Sequence, residues 1–129
     1  MKPFLAASAA VALLLLTHAS ATAAEGDPTR GEQIYHRCQG CHSIDTNRVG
    51  PRHAGLFGRR AGSLDDYSYS DAMRTSGIVW DATTLDQFLT APRKFIPGTK
   101  MPFAGIPDAQ ERADLIAYLK KVTAEASTQ

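Results

Sequence analysis

The chain is short of cysteine, of net charge and of long apolar runs, and each shortage removes a class of reading. Its 129 residues hold two cysteines, and both fall in one five-residue stretch, so none remains for a further disulfide. With 14 Lys+Arg against 13 Asp+Glu, it lacks the basic excess that nucleic-acid binding needs. The apolar run from Phe4 to Leu16 is too short to span a bilayer comfortably. No segment alternates well enough to build a sheet, and there is neither an internal repeat nor a low-complexity tract.

What is present is Cys38-Gln39-Gly40-Cys41-His42. This CxxCH spacing is an attachment site for a c-type haem, in which two thiols add to the vinyl groups and the histidine binds the iron. Two cysteines three positions apart on one helical turn reach both edges of a planar macrocycle, while the next residue points at its centre. A thioredoxin-like CxxC or a simple disulfide leaves the histidine unexplained, and no βαβ pattern surrounds the motif. The expected cofactor is therefore one covalently bound haem c.

Lys2, the apolar run and Ala21-Thr22-Ala23 read as a secretory signal peptide over residues 1–24, removed to leave a mature chain beginning near Ala24 or Glu25. Residues 25–129 then form a single domain, without a membrane span and formally neutral, because the leader contains Lys2 and no acid. A chain of that size has a marginal core, and a buried haem supplies the missing apolar bulk.

The mature segment reads as all-α, with three to five helices and long loops around the cofactor. Asp27-Pro28 is an N-cap followed by proline at the first helical position, so a helix should run from about Pro28 into the haem motif. Ser70 to Ser76 reads as a short helix ended by Gly77. Asp81 can cap a helix bearing Leu85, Phe88 and Leu89 that stops before Pro92. Asp108 and Glu111 open the strongest helix, with Leu115, Ile116, Leu119 and Val122 as its apolar stripe.

The candidates for the sixth iron ligand are Met73, Met101, His36 and His53. Met101 lies in a loop stiffened by Pro97 and Pro102, which lowers the cost of holding a weak thioether ligand, and it is the expected one. Met73 otherwise packs, and His36 should face solvent. His53, soon after Gly50-Pro51, is either a hydrogen-bonded interior or surface histidine or the one alternative acid, base or ligand.

These residues carry a resemblance: the chain resembles class I cytochromes c, the mitochondrial protein and its bacterial relatives, over Gly31 to Val122. The segments that carry it are CQGCH at 38–42, GPRHAGLFGRRAG at 50–62, YSYSDA at 67–72, GIVW at 77–80, PGTKMPFAGI at 97–106 and ERADLIAYLKK at 111–121. The resemblance implies thioether bonds at Cys38 and Cys41, with His42 and Met101 as axial ligands. It further implies a Pro51 carbonyl holding the far nitrogen of His42, a haem propionate held by Arg59, Tyr69 and Trp80, and Thr99 beside the distal face. Gly31 and Tyr35 match the first helix where it crosses the last, against Leu115 and Tyr118.

Three residues depart from the mitochondrial pattern: Phe88 for a tyrosine, Met73 for an asparagine, and His53 for a leucine. The first two remove polar groups and should raise the redox potential, and a charged His53 would act the same way. The expected function is a periplasmic, monomeric one-electron carrier and not an enzyme. The resemblance implies a bc-type complex or a dehydrogenase as donor and a terminal oxidase or reaction centre as acceptor. Arg37, Arg93, Lys94 and Lys100 would frame the haem edge and steer the carrier onto redox partners with acidic docking surfaces. The competing readings are a haem peroxidase-like or ligand-binding protein with Met101 displaced, and a fixed electron-transfer subunit of a dehydrogenase.

Overall fold

The computed structural model describes residues 25–127, so the leader expected over residues 1–24 lies outside the described residues. Five helices follow one another: α1 (Pro28–Tyr35), α2 (Asp71–Thr75), α3 (Ala82–Thr90), α4 (Pro92–Phe95) and α5 (Ala109–Ala126). Among the described residues extended pairing is limited to an isolated antiparallel bridge between Arg60 and Val79. The fold is all-α.

The helices begin where side chains can satisfy their first amides. The Asp27 carboxylate accepts from the Thr29 amide, Ser70 Oγ from Met73 and Asp108 from Glu111. At α3 the arrangement is reciprocal, since Asp81 accepts from the Thr84 amide while the Thr84 hydroxyl accepts from the Asp81 amide.

Two details differ from the sequence reading. The α1 helix stops at Tyr35 instead of entering the haem motif, and the chain continues through successive turns. The His42 amide still donates to the Cys38 carbonyl at 2.8 Å, so one helix-like turn keeps both cysteines and the histidine on neighbouring positions. Pro92 does end α3, yet it also opens α4, because proline at the first helical position has no amide to satisfy.

The body of the protein is the crossing of α1 and α5, onto which α3 packs. A Cβ on Gly31 would lie 2.0 Å from the Asp114 carbonyl oxygen, so only glycine allows this approach. Asp114 clasps the crossing: it accepts from the Asp27 amide at 2.7 Å, Arg30 Nε at 2.9 Å and Gln110 Nε2 at 2.9 Å. Leu115, Ile116 and Leu119 are buried as expected, whereas Val122 is half-buried and Thr123 takes the interior position. Arg112 is buried as well, with Nε on Asp86 at 2.7 Å and Nη1 on the Ile106 carbonyl at 2.9 Å. Apart from the bridge at Arg60, everything from His42 to Ser70, and from Ile96 to Asp108, is loop and turn.

Candidate functional site

The long loops and helices enclose a cavity of about 650 Å³. Cys38, Cys41, His42, Pro51, Arg59, Tyr69, Trp80, Thr99 and Met101 all line it, so the structure brings every sequence-predicted site residue to one place. Leu56, Leu85, Phe88, Leu89 and Leu115 supply apolar wall. A space of this size with a few polar groups set in apolar walls is the form of a cofactor site.

Both cysteines are free of disulfide, Cys41 exposed and Cys38 half-buried. Burial pushes the Cys38 thiol up to about 11, opposite to the depressed thiol of a CxxC redox site. His42 sits at the end of the turn, and its Nδ1–H donates to the Pro51 carbonyl at 2.8 Å. Burial lowers the His42 pKa, partly countered by that bond, and the neutral ring keeps Nε2 as its donor atom. Gly50 makes the arrangement possible, because a Cβ there would stand 2.3 Å from His42 Cε1.

Met101 and Thr99 share one loop, with the Met101 amide 3.4 Å from Thr99 Oγ1. Met73 also lines the cavity, in addition to packing on the core. His36 is exposed and bonded to Gln39.

The Arg59 guanidinium is fixed by two backbone carbonyls, Nη1 on Ala54 and Nη2 on Arg52, each at 2.9 Å. Burial lowers its pKa, and Tyr69, raised mainly by burial, lies close enough to interact with it. Trp80 is buried, its amide on the Arg59 carbonyl at 3.0 Å and its ring 5.1 Å from that of Phe88. One edge is closed by Tyr67, which the sequence reading had only as part of a matching segment. Its hydroxyl donates to the Val49 carbonyl at 2.6 Å.

His53 is half-buried on the His42 side, its ring stacked on that of His42 with centroids 4.3 Å apart. Tyr35 Oη lies 2.9 Å from its Nδ1. Burial, with His42 and Arg59 nearby, holds His53 well below its ordinary pKa. That environment disfavours the charged ring through which His53 would raise the potential. No signal local to the sequence joins Tyr35 to His53, which stand 18 residues apart. Arg37 lines the cavity as expected, and Glu111 pairs its guanidinium at 3.1 and 3.2 Å.

The sequence model of the cytochrome c family matches residues 28–123. The chain belongs to the cytochrome c family. It is 44% identical over 118 residues to a cytochrome c2 of Blastochloris viridis, covering 89% of this chain and 93% of that protein. It is 47% identical over 103 residues to a cytochrome c of Sesamum indicum, covering 77% and 93% of the two chains. Among solved structures, cytochrome cH from Methylobacterium extorquens superposes with a TM-score of 0.72 at 46% identity, over 74% of this chain and 98% of that one. Family members carry one covalently bound haem c and are electron-transfer proteins rather than enzymes. This chain is accordingly a c-type haem electron carrier.

Proposed function

We propose that the chain is a monomeric periplasmic one-electron shuttle, in which Cys38 and Cys41 form the thioether bonds and His42 and Met101 are the axial ligands. The observation that carries this reading is the 2.8 Å bond from His42 Nδ1–H to the Pro51 carbonyl. It commits one ring nitrogen to the backbone and leaves Nε2 for a metal, in a cavity that Met101 also lines. When bound, haem c supplies a reversible one-electron iron couple.

The protein residues do the rest. Pro51 and Gly50 hold the His42 imidazole, and the loop between Pro97 and Pro102 presents the Met101 thioether. Arg59, already oriented by the Ala54 and Arg52 carbonyls, keeps further N–H donors for a propionate, with Tyr69 and Trp80 as additional donors. The apolar wall excludes water, so a change of charge inside it meets little solvent rearrangement.

Visible and near-infrared spectra of the matured protein test the ligand set. A methionine-to-ferric charge-transfer band, with no spectral shift under carbon monoxide, is the expected result. An absent band with ready carbon monoxide binding would mean an open distal side.

The periplasmic address rests on the signal-like residues 1–24. The purified protein should have a mass corresponding to a start near Ala24 or Glu25. Among the described residues no helix is long and apolar enough to cross a membrane. The proposed donor is a bc-type complex or a dehydrogenase, and the proposed acceptor is a terminal oxidase or reaction centre. Arg93 and Lys94, exposed on α4, and Lys100, exposed at the cavity rim, form the face proposed for acidic partners. Exchanging Arg93 and Lys94 for glutamate should slow electron delivery to such a partner and flatten its salt dependence. Unchanged rates would remove these two residues from the docking face.

A further inference from the structure

We propose that His53 is a positioning residue for the proximal ligand: tethered through Tyr35, its ring fixes the plane in which the His42 imidazole presents Nε2. The inference rests on the reading of His42 as that ligand.

A single hydrogen bond does not fix a ring. The contact from His42 Nδ1–H to Pro51 holds one atom but leaves a residual rotation about the N–H···O axis. A flat group against the ring face removes that rotation. The His53 ring has this place, with centroids 4.3 Å apart and planes inclined by 21°.

The support has to be held in turn, and Tyr35 holds it. The Tyr35 side chain is only 2% exposed, packed at 5.4 Å on the ring of Tyr118 from α5. Its hydroxyl lies 2.9 Å from His53 Nδ1 and has no other partner among the described residues. Donation from O–H to Nδ1 satisfies the buried hydroxyl hydrogen, whereas the opposite sense would leave it without an acceptor. His53 is therefore pinned by its Nδ1 edge to the α1–α5 crossing while its face meets His42. An aliphatic side chain at position 53 could fill the space without being pinned, so the device needs both residues.

The test uses matured ferric protein in four forms: wild type, Tyr35→Phe, His53→Leu and the double variant. The readout is the pattern of haem-methyl resonances in proton NMR, which follows the orientation of the axial imidazole plane, together with the melting temperature. Each single variant should change the pattern relative to wild type. Tyr35→Phe should add nothing once His53 is leucine, because the two act as one unit. Should His53→Leu fail to mature, Tyr35→Phe alone must still change the pattern for the inference to stand.

An unchanged pattern in the single variants, with only the melting temperature lowered, would reduce His53 to packing and overturn the inference. Additive changes would overturn the tether. Wild-type protein lacking the far-upfield methionine methyl resonance in its ferrous form would overturn the ligand set of the proposed function. That outcome needs no variant, so the two failures are told apart.

Discussion

At Gly50 a single added methyl group would enter the space of the His42 ring, 2.3 Å from Cε1. Neither the buried loop backbone nor the imidazole can retreat without loosening the bond to Pro51. Gly50→Ala should therefore destabilise the ferric protein by about 1–3 kcal/mol through overpacking, measured as a lower guanidinium midpoint at unchanged slope. Gly31→Val meets backbone at 2.0 Å and should cost on the order of 4 kcal/mol, read as a large fall in melting temperature. An unchanged melting temperature would contradict the close α1–α5 approach. Single residues were legible in the sequence to the extent that their roles are local. Spacing singled out Cys38, Cys41 and His42, and a proline-flanked loop Met101, and all four line one cavity. The Tyr35–His53 pair could not be read, because a contact across 18 residues has no period and no motif.

The helix starts were visible because capping is local chemistry. Asp27, Ser70, Asp81 and Asp108 each bond an amide two or three residues ahead. The interior polar residues of α5 were not visible, since their partners are far along the chain: Asp114 meets Arg30 across 84 residues and Arg112 meets Asp86 across 26. Burial alone would raise the Asp114 carboxyl. The Asp27 amide, Arg30 and Gln110 outweigh it and hold the group below the ordinary carboxylate range. A carboxyl depressed in the folded state contributes stability that is present above its unfolded pKa and lost as pH falls through the folded one. The clasp should thus weaken below about pH 4. Asp114→Asn should lower stability at pH 7 by roughly 2 kcal/mol, the scale of a charge-assisted hydrogen bond. It should also flatten the acid limb of a stability–pH profile measured by denaturant titration. A parallel limb in wild type and variant would remove Asp114 from the acid response.

At the scale of the whole molecule, a cavity of about 650 Å³ stands where a chain of this length would ordinarily have its core. The buried residues Leu56, Trp80, Leu85, Phe88, Leu89 and Leu115 all line this cavity, so much of the core packs on whatever fills it. Replacing Cys38 and Cys41 with alanine should leave a chain with partial helical circular dichroism, no near-ultraviolet signal and no cooperative melting transition. A sharp melt in that variant would show that the helices suffice alone. Fold class was readable from composition and caps, but the cavity was not, because it is defined by loops converging from distant parts of the sequence. Those loops also set an order of opening. Between the Thr99 amide on the Ile96 carbonyl and the Ile106 amide on Leu89, no backbone amide donates to another backbone carbonyl among the described residues. The amides of α1 and α5 are locked in their crossing. In deuterated water, the segment from Lys100 to Gly105 should therefore take up label well before the two terminal helices. Under stress the protein would surrender the Met101 loop before its scaffold, and close it again without having to refold.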